Sequence, residues 1–179
     1  MLCQDRENRL KIVALLKKNP EAISILLDMI FADEEEFGLI GGWTLDLALQ
    51  EDLCLILPYL DQYCEGIVRL KNESAIRSMS KISATLMEMF YHRQDSKVQS
   101  YIKPIHKETM AEVCFDWLIG EHKVAAKVFS MSSLYELGKE FDWIHSELKV
   151  ILERGFEQGS AGYRSRARKV LDKLRESTA

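Results

Sequence analysis

The sequence predicts an all-α protein, and three observations carry that expectation. Apolar residues advance by three or four along most of the chain. Ile76, Met79, Ile82/Ser83, Leu86 and Met89/Phe90 make one stripe over four turns, the spacing of a helix buried on one side. Gly 9 and Pro 3 in 179 residues leave little material for the many turns of an all-β sandwich. Hydrophobic residues are 47% and charged residues 29%, which is globular usage and excludes wholesale disorder.

The expected helices cover 5–18, 20–31, 43–50, 52–70, 73–91, 104–119, 122–140, 143–156 and 160–175. Pro20 after Asn19 suits a first helical position, and Ala22 to Phe31 is apolar almost all round, as in a helix sandwiched on two sides. The stretch Ala32-Asp33-Glu34-Glu35-Glu36-Phe37-Gly38 reads as a longer, solvated link. Gly41-Gly42 just after it allows a sharp entry or a close helix contact. Glu73 opens a helix after Lys71-Asn72, and Pro104 sits near another start. Asp142 and Ser160 read as N-caps. Val124, Val128, Met131, Leu134/Tyr135 and Leu137 make a second clear stripe, and Tyr163, Ala167, Val170, Leu171 and Leu174 a third.

The helices repeat weakly. Leu55-Ile56-Leu57-Pro58-Tyr59-Leu60 aligns with Val113-Cys114-Phe115-Asp116-Trp117-Leu118, and the partner helices align at Ala75-Ile76-Arg77, Ala125-Ala126-Lys127 and Gly162-Tyr163-Arg164. A cation recurs at the same place, at a spacing near that of two-helix repeats. On these residues the chain resembles a HEAT-like or armadillo-like α-solenoid over nearly its full length. The resemblance implies a HEAT-like right-handed α-α superhelix of about nine helices, one domain over 1–179, with helix 5–18 as an N-terminal cap. From Gly41-Gly42-Trp43-Thr44-Leu45-Asp46-Leu47-Ala48-Leu49-Gln50-Glu51-Asp52 onward, the chain also resembles small uncharacterised bacterial HEAT-like proteins, some of which carry an adenylosuccinate lyase label. Adenylosuccinate lyases are far longer and have a Ser-Ser-x-Met-Pro-x-Lys-x-Asn type loop. The nearest stretch here, Gly159-Ser160-Ala161-Gly162-Tyr163-Arg164, has neither the Met-Pro nor the Asn.

Catalytic signatures are missing from the pattern. His92, His106, His122 and His145 are far apart in sequence, and there is no HExxH, GxSxG, phosphate loop or GxGxxG. The expectation is a non-catalytic protein without metal or cofactor. Phe115-Asp116-Trp117-Leu118 and Phe141-Asp142-Trp143-Ile144 nearly repeat; core packing is the expected reading, and stacking on a ligand in a groove the alternative. Cys3, Cys54, Cys64 and Cys114 show no CxxC spacing and read as free thiols in a reducing compartment. No window approaches 18 consecutive apolar residues, and Met1-Leu2-Cys3-Gln4-Asp5-Arg6-Glu7 turns charged where a signal peptide needs an apolar run. A soluble, cytoplasmic protein is expected.

Charge distribution carries the functional expectation. From Asp28 to Glu65 there are ten acidic residues and no Lys or Arg, whereas 151–179 holds seven basic and four acidic. In a stacked solenoid the second helix of each pair lines the concave face that binds partners. Arg77, Lys127 and Arg164, joined by Lys81, Lys123 and Arg168, would form a cation ladder there. Arg164, Arg168 and Arg175 share one edge of the last helix, and Arg166, Lys169 and Lys173 flank the other. The ladder is either a solvated face with side chains lying along the core edge, or an anion-binding surface for a protein or peptide partner. Nucleic acid is the alternative partner. It follows from a resemblance to the HEAT-like DNA alkylation repair glycosylases, which use a concave cationic surface, although none of their catalytic positions is matched here. A sequence pI near 5.7 counts against a dedicated nucleic-acid binder.

Overall fold

A computed structural model describes residues 6–32 and 34–176, with side chains described from residue 10 onward. Among the described residues ten α-helices follow one another: α1 (Arg6–Lys18), α2 (Ala22–Phe31), α3 (Glu35–Glu51), α4 (Leu60–Arg69), α5 (Glu73–Met87), α6 (Ser96–Tyr101), α7 (Pro104–Ile119), α8 (Val124–Leu137), α9 (Asp142–Gly155) and α10 (Ala161–Glu176). There is no strand among the described residues. Cys3 and the start of the expected helix 5–18 lie outside them.

Local chemistry explains most boundaries. The Asn72 side-chain oxygen accepts from the backbone N–H groups of Ser74 (2.9 Å) and Ala75 (3.0 Å), closing the start of α5. Asp95 does the same for α6, accepting from Lys97 and Val98 at 3.0 Å each. Pro104 is the first residue of α7, where its missing N–H costs nothing. Ser160 Oγ accepts from the Tyr163 N–H at 3.3 Å as α10 begins.

Three expected boundaries differ here, at α3, α4 and α9. α3 starts at Glu35, not at residue 43, so Glu35 and Glu36 form a first helical turn rather than part of a solvated link. Exposed carboxylates are favoured there by the positive end of the helix, and a charge run at a helix start looks like a loop in sequence. Gly41 and Gly42 lie inside that helix: a Cβ on Gly42 would come 2.9 Å from Ser78 Oγ, and one on Gly41 2.8 Å from Ile30 Cγ1. The pair lets α3 pack closely against α2 and α5. The expected helix 52–70 is broken into two 3-10 turns, Leu53–Leu55 and Leu57–Tyr59, before α4, because Pro58 has no N–H to continue an α-helical ladder. Asp142 lies in the first turn of α9, and Phe141 holds the N-cap position without a side-chain bond.

Beyond α5 the chain forms a π-turn over Glu88–His92, then Gln94 takes a left-handed conformation with φ 52°, then the short α6 follows. The π-turn spares the last residues of the stripe from full burial, so Met89 and Phe90 pack only partly against the core.

The helices lie in two ranks. In one, α3, α5, α8 and α10 are successive neighbours; on the other side α2, α4 and α7 follow in order, with α9 against α8 and α10, and α1 against α3. The successive helices α2 and α3, α7 and α8, and α9 and α10 pack as pairs, whereas α4, from the expected helix 52–70, packs mainly on α2 and α7 rather than on α5. Tyr63 ties α4 to α5, donating to the Met79 carbonyl at 2.7 Å with Ser83 Oγ also at 2.7 Å. Buried side chains form one continuous cluster running from Val13 to Leu174. The stripe of α10, Tyr163, Ala167, Val170, Leu171 and Leu174, is buried throughout. Fully burying each large aliphatic side chain is worth about 1.5–3 kcal/mol. Cys64 and Cys114 are buried free thiols and Cys54 is half-buried. No described helix is long and apolar enough to cross a membrane.

Candidate anion-binding groove

Each helix of the α3, α5, α8, α10 rank buries one stripe and leaves the next edge along a shared groove. Two adjoining parts of it, of about 400 and 380 Å³, have Lys81 and Phe129 in common. The first is lined by Trp43 and Asp46 of α3, Arg77 and Ser78 of α5, and Phe129 of α8. Ser132, Tyr135 and Glu136 of α8, Arg166, Lys169 and Lys173 of α10, and Glu88 and His92 of the π-turn line the second.

Five cations thus face three carboxylates, and the carboxylates are already engaged. Lys81 Nζ lies 2.7 Å from Asp46 Oδ2, Arg93 Nε 3.5 Å from Glu88 Oε1, and Lys139 pairs with Glu136 one turn away. On the cationic side Arg166 Nη1 donates to Ser132 Oγ at 3.2 Å, and Lys173 Nζ sits 5.0 Å from the Tyr135 ring centroid. The side chains of Arg77 and Lys169 make no hydrogen bond or ion pair with the described residues. A chain of net charge −4 therefore carries a groove with surplus positive charge.

Of the six ladder residues, Arg77 and Lys81 line this groove and the others do not. Lys123 precedes α8, and its backbone N–H donates to Glu73 Oε2 at 3.1 Å. Lys127 is half-buried on α8, outside the groove lining. Arg164 turns back to donate to the Gly159 carbonyl at 2.9 Å, and the Arg168 guanidinium lies 5.7 Å from the Phe156 ring. The opposite edge of α10, Arg166, Lys169 and Lys173, supplies the groove instead. The sequence shows both cationic edges of that helix; which edge meets α8 is decided by tertiary packing. Among the tryptophans, Trp43 lines the groove, Trp117 is in the core, and Trp143 is exposed and stacked on Phe115 with centroids 5.6 Å apart.

Two further clusters bring titratable groups together around a buried histidine and a buried lysine. His106 receives the Lys103 N–H at Nδ1 (3.2 Å), so its Nε2–H donates to Asp61 Oδ1 at 2.7 Å. Hydrogen bonds from Lys103 and then His106 hold the Asp61 carboxyl below its usual range. The Cys64 thiol lies 4.0 Å from the His106 carbonyl, and burial pushes its pKa up to about 12. A cysteine, a histidine and a carboxylate thus meet beside a cavity of about 290 Å³. Both imidazole nitrogens are committed and the thiol stays protonated, so the trio caps α7 rather than activating a nucleophile.

In the second cluster Lys107, 6% exposed, places Nζ 2.5 and 2.6 Å from the two Glu140 oxygens. It lies 5.0 Å from the Phe90 ring centroid and 6.0 Å from that of Phe141. Tyr91 donates to Glu140 Oε2 at 2.6 Å. Burial would raise the Glu140 pKa, but the bonds from Lys107 and Tyr91 hold it below the usual value. Nothing in the sequence pattern marks Lys107, because its partner stands 33 residues away.

No group of three or more His, Cys, Asp or Glu among the described residues is placed to hold a metal ion. Comparison with known protein families, curated proteins and solved structures finds no match for the chain.

Proposed function

We propose that the chain is a non-catalytic, cytoplasmic binding scaffold, a single HEAT-like right-handed superhelix whose groove takes an acidic segment of a protein partner. One observation carries this reading: five cations line the groove, while its carboxylates are each paired with a lysine or arginine of the chain itself. An incoming carboxylate would meet Arg77 and Lys169, whose side chains have no partner among the described residues. The interleaving of Trp43, Phe129 and Tyr135 with those cations favours nucleic acid as a second reading, since aromatic rings among cations also stack bases.

Fluorescence anisotropy with three probes separates the two: a twelve-residue glutamate-rich peptide, a twelve-nucleotide single strand and a DNA duplex. The peptide is expected to bind, to weaken several-fold between about 50 and 200 mM salt, and to lose binding in Arg77→Glu/Lys169→Glu. Binding of the oligonucleotides without the peptide transfers the groove to nucleic acid. Failure of all three probes at low salt overturns both readings.

A further inference from the structure

The α10 half of the groove differs from the rest in how its cations are arranged. Arg166, Lys169 and Lys173 stand at i, i+3 and i+7, one stripe about 10 Å long. Facing them, α8 offers Ser132 and Tyr135, one turn apart. Arg166 is steadied by a single bond to Ser132 Oγ, whose own proton goes to the Val128 carbonyl at 3.1 Å, so the serine orients the guanidinium and four of its donors are left for a ligand. The Lys173 ammonium is held over the Tyr135 ring, while Lys169 has no bond to any described residue. Three positive charges within two turns exceed what one carboxylate neutralises. A phosphomonoester brings a charge of about −1.5 to −2 and three acceptor oxygens, and guanidinium groups bind such oxygens in pairs.

We infer that Arg166, held in place by Ser132, forms with Lys169 and Lys173 a site for a phosphomonoester, carried on a phosphorylated side chain of the partner segment. This deepens the peptide reading and rests on it for the source of the phosphate. Neighbouring Lys81 stays occupied by Asp46 at 2.7 Å, so phosphate recognition is confined to the α10 side. The segment's remaining residues would run toward Phe129 and Arg77.

Amide-resolved NMR titration tests the site with phenyl phosphate, its methyl diester and benzoate. Phenyl phosphate is expected to shift the amides around Ser132, Tyr135, Arg166, Lys169 and Lys173, and to bind about tenfold tighter than either singly charged probe. That preference disappears in Lys169→Ala/Lys173→Ala, whose side chains are exposed. It persists in Arg168→Ala, on the edge of α10 outside the groove lining. Equal affinity for monoester and diester, or shifts confined to other helices, overturns the site. Glutamate-rich peptides with and without one central phosphoserine test the source. Tighter binding of the phosphorylated peptide supports the proposal in full. Equal binding of the two overturns the phosphate inference and leaves the peptide groove standing. Binding of phenyl phosphate with neither peptide, or preference for a 5′-phosphorylated oligonucleotide, overturns the peptide source while the phosphate site stands.

Discussion

Lys107 and Lys169 are the same residue type put to opposite uses. Lys107 is enclosed by Phe90, Phe141 and a carboxylate that Tyr91 also holds. Its ammonium is directed inward onto the Glu140 carboxylate, joining the π-turn, α7 and the segment after α8. Lys169 stands in the groove with no bonded partner among the described residues. A cation that has been fully compensated holds the fold together, whereas an uncompensated one is available to a ligand. The contrast separates stability from binding along one chain, and it can be broken by substitution.

The largest effect is expected at the enclosed cation. Lys107→Met keeps the volume but leaves the Glu140 carboxylate without its counter-ion. Breaking a buried pair costs about 3–5 kcal/mol; the Glu140 side chain is 40% exposed, so about 2–3 kcal/mol is expected here. For a chain of this size that lowers Tm by roughly 4–12 °C in a calorimetric scan. Adding Glu140→Gln should recover part of the loss in a double-mutant cycle, since it removes the stranded charge. A Lys107→Met protein as stable as the parent would show that the cluster is not a clamp.

A close approach between helices gives the next effect. Gly42→Ala improves intrinsic helix propensity by about 1 kcal/mol, yet its new methyl would meet Ser78 Oγ at 2.9 Å and Ser78 Cβ at 3.0 Å. Ser78 is buried, so α3 and α5 must separate, and overpacking of this kind costs about 1–3 kcal/mol. A net loss near 1 kcal/mol is expected in urea unfolding, and it should be smaller in the Gly42→Ala/Ser78→Gly double variant, which reopens the space.

Acid should then weaken the inward-directed contacts in a defined direction. Glu140 and Glu73 are held below the usual glutamate value of 4.5, and Asp61 below 3.8. For Glu73, burial raises the pKa, but bonds from His122 and the Lys123 amide outweigh it. With folded pKa values depressed, the unfolded chain binds more protons in this window, so stability is full above about pH 4.5 and falls as the pH drops through the folded values. Urea midpoints at pH 7 and pH 4 check the sign. Glu73→Gln should flatten the slope, and an unchanged slope would remove the His122–Glu73 contact from the account.

The sequence made regular periodicity legible and left pairings dark, for physical reasons visible at particular residues. The stripes of α5 and α10 could be read because each helix buries one face; that of α8 held only in part, with Val124 exposed and Val128 half-buried, because α8 packs against α5, α7, α9 and α10. Asn72, Pro104 and Ser160 could be read because their chemistry acts within four residues. The start of α3 was hidden because glutamates serve equally in a solvated link and in a first helical turn. α6, six residues long, is too short to show a period. Arg77 and Lys81 were visible as a groove pair, opposite their own helix's stripe. Arg166, Lys169 and Lys173 were visible only as one of two basic edges, because choosing between them requires knowing that α10 packs on α8 in this orientation. The Lys107 cluster draws on three segments that only the finished fold brings together.

The smallest stability effect is the most informative about function. Arg77→Ala and Lys169→Ala remove side chains with no bond to the described residues, so each should change unfolding free energy by less than about 0.5 kcal/mol and move Tm by at most about 2 °C. Both should nonetheless weaken the glutamate-rich peptide by several-fold, because each removes a charge that only a ligand uses. Lys81→Ala serves as the internal contrast: it frees Asp46 from its 2.7 Å partner and adds negative charge to the groove, so it should weaken the peptide as well while also costing some stability. If Arg77→Ala and Lys169→Ala instead destabilise the fold and spare the peptide, their charge serves the protein's own structure, and the division between inward and outward cations disappears.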